Sequence, residues 1–414
     1  MRAGQQLTGG AAAAAAPLVL ILICGCLISL LTFGVRNSFG LFTDPVSSTH
    51  GWSREVFALA MAIQNLAWGI GQPLGGALAD RFGPARVLAG GGVLYALGVA
   101  LMAFGTTPGA LHLSAGVLVG IGMGGASYIT VLAALGKIVP PERRSWALGL
   151  GTAAGSFGQF LVVPLGQAFI AAYGWQATAL LLAGLAAAVP LLASAFAGAK
   201  LAPAMEAEPE LGFRETLRAA FGHPSYLLLL TGFFVCGFQL AFVTIHLPPY
   251  LTDRGIGAGL AAWAIGLIGL CNIIGAYLAG VLGARHSNKM MLSGLYLGRA
   301  VVTALFLMLP ISPASVLLFA AAMGLLWLST VPPTSGLVAM MFGTRYMATL
   351  FGIVFLNHQL GSFVGVWLGG WLYGRTGSYD VVWWLSVVLS LAAALIHLPI
   401  AERPAPRFAA AGIR

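Results

Sequence analysis

Gly75-Gly76-Ala77-Leu78-Ala79-Asp80-Arg81-Phe82-Gly83-Pro84-Ala85-Arg86 is a short charged loop set between two long apolar runs. The run before it covers about 54–78 and the run after it about 86–105. Each is long enough to cross a bilayer core of about 30 Å as a helix, which takes roughly 20 residues. Two apolar helices joined by a tight basic loop form the repeating unit of a polytopic membrane protein.

The same unit recurs along the chain. Further runs lie near 17–42, 110–133, 146–172, 177–199, 226–250, 259–282, 289–309, 314–338, 345–373 and 381–400. Turn residues such as Asp44-Pro45, Pro140-Pro141 and Tyr173-Gly174 separate them. The expected fold class is therefore an all-α polytopic membrane protein with twelve transmembrane helices in two six-helix halves. Composition agrees. Of 414 residues, 59% are apolar and only 7% charged, against about a quarter charged in soluble domains. That excludes an ordinary soluble enzyme, and a nucleic-acid binder would need many more Lys and Arg. Paired catalytic carboxylates, a His-Glu-x-x-His helix and a Gly-x4-Gly-Lys-Ser/Thr loop are all missing from the sequence, so neither an enzyme nor an ATP-driven pump is expected. Cys24, Cys26, Cys236 and Cys271 fall inside apolar runs at no zinc-like spacing. They read as small core residues, and no metal or cofactor is expected.

The long polar stretch 200–225, with Glu206, Glu208, Glu210, Arg214, Glu215 and Arg218, splits the spans six and six. It divides the chain into an N-terminal half (1–199), a cytoplasmic linker with one short surface helix (200–225) and a C-terminal half (226–414). With the N-terminus in the cytoplasm, fifteen of the 20 Lys and Arg lie in loops on that side, and only Arg54, Arg254 and Arg375 lie on the other. This asymmetry places both termini inside. The net charge of +9 is thus an orientation signal rather than a surface for an acidic partner.

The halves repeat at an offset near 200. Gly75 to Gly83 aligns with Gly275 to Gly283, Tyr95 with Tyr296, Arg144-Ser145-Trp146-Ala147 with Arg345-Tyr346-Met347-Ala348, and Gly158 and Gly166 with Gly361 and Gly369. Two similar halves predict a cleft between them with a site near the midplane. Gly116, Gly120 and Gly124 lie along one face of the fourth span, and Gly151, Gly155 and Gly158 along the fifth. Gly361, Gly365 and Gly369 recur in the eleventh. Such small faces let helices approach closely.

Gly76-x3-Asp80-Arg81-x-Gly83-x2-Arg86 resembles the hallmark loop of the major facilitator superfamily. Span count, linker and repeat extend the resemblance over the whole chain. Arg36-Asn37-Ser38-Phe39-Gly40 and Asn357-His358-Gln359-Leu360-Gly361-Ser362-Phe363 resemble the bacterial monocarboxylate-transporter-like branch. The resemblance implies a secondary transporter of the bacterial inner membrane, acting as a monomer by alternating access. It implies a cavity lined by spans 1, 4, 7 and 10. It also implies that Asp80 meets the start of span 11 to close the inner side, with Arg81 and Arg86 beside it. Arg144 and its repeat partner Arg345 join these as gating candidates. The chain departs from the pattern too. Carboxylate carriers of the branch often have an arginine in span 8 at the position that is Asn272 here, and the repeat partner of Asp80 is Gly280.

Every Asp and Glu falls at or beyond a span end, whereas Arg36 and Arg299 lie within spans. A buried arginine is costly and usually faces a cavity or a partner. Fixed cations without fixed anions favour an anionic substrate. Arg36 lies about 10 Å below the outer end at ~1.5 Å per residue. It reads as a fork for a carboxylate, or as a side chain reaching Asp44 or the interface. Arg299, deeper in span 9, reads as a substrate contact or as a polar lock between helices. His358 is the leading candidate for carrying a coupled proton, with an interhelical hydrogen bond as the alternative. Asn37, Tyr128, Gln159, Asn272, Trp327 and Asn357 complete the candidate substrate set by position. The expected cargo is a small organic anion, monocarboxylate-like, with a proton as possible co-substrate. The rival is an exporter of amphipathic drugs or lipopeptides on the same fold.

Overall fold

A computed structural model describes residues 17–199, 212–343, 347–406 and 408. All regular structure among these residues is helical. The first half contains α1 (Leu18–Asn37), the short α2 (Thr43–His50), α3 (Arg54–Phe82), α4 (Pro84–Met102), α5 (Pro108–Leu111), α6 (Val119–Ala126), α7 (Tyr128–Ile138) and α8 (Pro141–Ala193). After α9 (Phe213–Phe221) come α10 (Pro224–Asp253), α11 (Ala258–Gly283), α12 (Asn288–Met308), α13 (Pro313–Leu326), α14 (Val331–Phe342), α15 (Met347–Thr376) and α16 (Asp380–His397).

These make twelve crossings. α5, a stretch of π-helix (His112–Leu118), α6 and α7 together form the fourth, and α13 with α14 form the tenth. α8 supplies two crossings, because Gly174 inside it takes φ 82° and reverses the chain. The quoted loop has a similar cause. Gly83 takes φ 86°, open only to glycine at low cost, and Pro84 opens α4 at its first position. The short helix expected in the linker is α9, whereas 200–211 lie outside the described residues.

The two halves are built alike. α1 packs on α8 and α10 on α15, while the halves meet along α3–α15 and α8–α11. Glycines set the closeness of these pairs. A methyl group at Gly158 would overlap the Leu30 carbonyl of α1, and one at Gly361 would overlap the Phe234 carbonyl of α10. Gly116, Gly120 and Gly124 lie against α3 at Ala60, Gln64 and Gly71. Gly151 faces Leu132, Gly155 faces Phe33, Gly365 faces Phe238 and Gly369 faces His246.

Among the described residues, polar contacts close the halves at one end. At the end carrying Arg54, the Arg54 guanidinium binds Asp253 through two hydrogen bonds of 2.6 and 2.8 Å and pairs with Asp44 at 2.7 Å. It also lies 4.4 Å from the centre of the Tyr373 ring. Thr252 donates to Asp44 at 3.0 Å, and Arg375 is 3.9 Å from Glu55. α10 is buried without interruption from Val235 to Leu251. Among the described residues, every hydrogen bond and ion pair between the halves lies at or outward of the Ser156–Asn272 level. At the other end α3 is largely exposed from Ala77 to Phe82, and Asp80 pairs with Lys137 of its own half.

Two crossings are broken at mid-depth. Pro332 and Pro333 have no N–H, so the carbonyls of Leu328 and Ser329 lack an i+4 donor. Leu328 accepts from the Val331 N–H at 3.0 Å instead, and the chain between Leu326 and Val331 is not α-helical. Two side chains stitch the gap. Asn272 Oδ1 accepts the Leu328 N–H at 2.8 Å, and its Nδ2 donates to Ser156 Oγ at 2.9 Å. Arg299 donates to the Leu326 carbonyl at 2.8 and 3.2 Å and to the Trp327 carbonyl, with Cys236 Sγ 3.3 Å away. A cation at a helix C-terminus is also favoured by the helix dipole. In the fourth crossing the chain is extended at Ser127. There Gln72 accepts from Ser127 Oγ at 2.8 Å and donates to Thr130 Oγ1 at 3.2 Å. Gln72 and Asn272 are repeat partners beside equivalent breaks, Asn272 taking a backbone N–H and Gln72 holding the Ser127 and Thr130 hydroxyls.

Arg299 is fully buried, and its neighbours at the break are backbone carbonyls rather than a cavity. Arg299→Met would leave two buried carbonyls without donors, at roughly 1–3 kcal/mol each. The detergent-solubilised variant should unfold several degrees below the parent. An unchanged midpoint would show that the stitch carries no stability.

Candidate functional site

A cavity of about 150 Å³ lies between the halves at mid-depth. α1 contributes Phe33 and Arg36, α3 contributes Trp68, and α7 contributes Tyr128, Ile129 and Leu132. From the second half come Phe233 and Thr244 of α10, Trp327 and Leu328 of the break, Val331 of α14, and Phe351, Phe355, His358 and Ser362 of α15. No Asp or Glu is among the lining residues.

Arg36 is held from one side. Its Nη2 donates to Asn65 Oδ1 at 2.9 Å, and Asn65 is itself oriented by donating to the Met61 carbonyl at 2.8 Å. The guanidinium lies 5.1 Å from the centre of the Trp68 ring, which fixes its plane by cation–π attraction. Trp68 Nε1 donates to Gln72 at 3.0 Å, so the stitch of the fourth crossing also anchors this ring. Arg36 Nε is buried and has no partner. The alternative contact with Asp44 does not form, because Asp44 belongs to Arg54.

Two further features add positive potential. α7 begins at Tyr128 and α14 at Val331, both lining residues, so two helix N-termini start at the cavity wall. α14 contributes only its dipole there, since Pro332 and Pro333 offer no donor. His358 faces the same space. Its Nδ1 lies 3.2 Å from Gln359 Oε1, and its ring stacks parallel to Phe355 with centroids 5.9 Å apart.

Of the expected substrate set, the fold thus brings together Arg36, Tyr128, Trp327 and His358. The other four are turned elsewhere. Asn37 donates to the Phe33 carbonyl of its own helix, and Asn357 donates to the Leu230 carbonyl at 2.6 Å. Gln159 bridges the halves by donating to the Ile265 carbonyl at 2.8 Å. Asn272 and Arg299 hold the break in the tenth crossing. Among the gating candidates, Arg81 and Arg86 are exposed and Arg144 is half-buried with its Nε unpartnered, while Arg345 lies outside the described residues.

Sequence reading missed Trp68, Phe355 and Ser362 in the lining, Gln72 at the first break and Arg54 at the closed end. Gln72 was recoverable as the repeat partner of Asn272. Arg54 and Asp253 were recoverable as opposite charges at span ends on one side of the membrane.

Comparison with known proteins follows this architecture. The family model described as Major Facilitator Superfamily matches residues 24–366 and 251–412. The chain belongs to the major facilitator superfamily. Monocarboxylate transporter 13 of Bos taurus is 28% identical over 396 residues, covering 90% of this chain and 87% of the relative. The MFS-type transporter YcxA of Bacillus subtilis (strain 168) is 26% identical over 376 residues, covering 88% and 90%. Among solved structures, the inward open conformation of the xylose transporter XylE from E. coli superposes with a TM-score of 0.70 at 16% identity, covering 92% of this chain and 96% of that one. An inward-facing bacterial homologue of the human lysosomal transporter Spinster gives a TM-score of 0.66 at 14% identity, covering 91% and 95%. These two likenesses establish the twelve-helix superfamily fold. Membership makes the chain a multi-pass membrane transporter and not an enzyme.

Proposed function

We propose that the protein is a secondary transporter that carries a small organic anion of the monocarboxylate kind across the bacterial inner membrane by alternating access, with both termini in the cytoplasm. On that orientation, closure at the Arg54 end and separation at the Asp80 end make this conformation inward-facing. One observation carries the reading. The Arg36 guanidinium lines a cavity to which no carboxylate contributes. The monocarboxylate transporters among the relatives support the same class. The cavity is also about half the lower end of the 300–1,000 Å³ range of drug-sized pockets, which argues against the amphipathic exporter.

The test is a thermal-shift screen of purified protein against small carboxylates, amino acids, sugars and cationic dyes. A ligand at 100 times its Kd stabilises the fold by about 2.7 kcal/mol. A response confined to carboxylates supports the proposal, and a response to dyes alone overturns it.

His358 is assigned the coupled proton. It is the imidazole of the lining, and an imidazole can both accept and give up a proton. His358→Gln keeps a hydrogen-bonding group but cannot carry charge. Uptake into proteoliposomes by this variant should lose its dependence on pH while substrate still binds. An unchanged pH profile would remove His358 from coupling.

A further inference from the structure

We infer that the cargo is an aryl monocarboxylate, one carboxylate on a short arm from a single planar ring. The inference rests on the anion reading above and narrows it. Its basis is what surrounds Arg36. Phe33 meets Tyr128 edge to face, with centroids 5.1 Å apart and planes at 72°. Trp68 meets Phe355 in the same way at 5.2 Å and 71°, bringing the two halves into contact. Phe233 lies 5.1 Å from the His358 ring. All of these rings line the cavity. They form two aromatic walls, one on each half, with the guanidinium over the Trp68 ring.

The polar inventory is small, and its aliphatic hydroxyls are already engaged as donors. Thr244 Oγ1 donates to the Leu240 carbonyl at 2.7 Å, and Ser362 Oγ is engaged with the Gly237 and His358 carbonyls and with Gln359. Beyond Arg36, the Tyr128 hydroxyl and the Trp327 and His358 rings, the lining offers the several hydroxyls of a sugar few partners, and burying them unpaired is unfavourable. A dicarboxylate would need a second cation, but Arg299 is turned to the Leu326 and Trp327 carbonyls. An aromatic cage can also attract an organic cation. Here the Trp68 face is already covered by Arg36, and a second cation would meet that charge. A ring with one carboxylate satisfies each constraint. The carboxylate takes the free edge of the guanidinium, and the ring fills the space between the walls in edge-to-face contact.

The experiment measures binding of phenylacetate, cyclohexylacetate, lactate, benzyl alcohol and benzylamine to the purified full-length protein, by thermal shift and isothermal titration. An edge-to-face contact contributes about two- to tenfold in affinity. Phenylacetate should bind at least tenfold tighter than lactate and about threefold tighter than the saturated cyclohexylacetate. Phe355→Leu, and independently Trp68→Leu, should shrink the phenylacetate-to-lactate ratio to within threefold. If lactate binds as tightly as phenylacetate, or if both variants keep the ratio, the aryl inference is overturned and the anion reading stands. If no carboxylate binds, or only benzyl alcohol or benzylamine does, both fall.

Discussion

Arg36→Ala is expected to abolish uptake, and Arg36→Lys to retain only a small fraction of it. The difference follows from how the guanidinium is held. Asn65 accepts from Nη2 and the Trp68 ring lies beside the guanidinium, which leaves its Nη1 edge to a ligand. A carboxylate approaching that edge gains charge-assisted hydrogen bonds worth about 1.5–3 kcal/mol each. Losing two of them weakens binding at least about 100-fold at 1.4 kcal/mol per decade. A lysine restores the charge but not the fork and cannot stack flat on indole, so about a tenfold loss is expected. Neither variant should unfold early, since Arg36 makes a single side-chain hydrogen bond within the fold. Uptake by proteoliposomes with thermal unfolding as a control checks both statements. Wild-type uptake by both variants would remove Arg36 from the site.

Arg54→Ala loosens the closed end and shifts the protein toward the opposite conformation. Arg54 binds Asp44 of its own half and Asp253 of the other, and Tyr373 of the other half covers its face. Removing it deletes a bidentate pair and leaves two carboxylates facing each other. Exposed ion pairs contribute only about 0.2–1 kcal/mol, but the Arg54 side chain is 14% exposed and serves three partners. A shift of about 2 kcal/mol, or roughly 30-fold in the ratio of the two states, is expected. Hydrogen exchange should accelerate over 43–57 and 249–257. The exchanged pair Arg54→Asp with Asp253→Arg restores a cation beside two carboxylates and should recover protection. Unaltered exchange in Arg54→Ala would show that the end is held by apolar packing alone.

The twelve crossings were legible because hydropathy and loop charge report the bilayer directly. The quoted loop, the turn at Gly174 and the short α9 fall where turn chemistry puts them. Arg36 and His358 were legible as polar side chains in apolar runs. The two breaks were not, because hydropathy is blind to a missing N–H. Trp327 to Pro333 lies inside the apolar run 314–338, and only the Pro332-Pro333 pair signals a helix that cannot continue. The same blindness misplaced the amides. Asn272 and Gln159 sit at cavity-like depth, but buried amides go where backbone groups are left unpaired, and those groups exist only once the helices have bent and the halves have met. Arg54 was read as a topological charge, since its partners are some 200 residues away in sequence.

The stitched breaks set where selectivity can change. Each cavity-lining crossing that is broken consists of two short rods joined at an amide-held elbow, Gln72 on one half and Asn272 on the other. A substitution at either elbow alters the angle between rods and so moves Tyr128, Trp327 and their neighbours, though the substituted residue never meets the cargo. Two carriers with identical linings can then prefer different molecules, and comparing lining residues alone would call them equivalent. Diversification of such transporters has a route through joints as well as through walls.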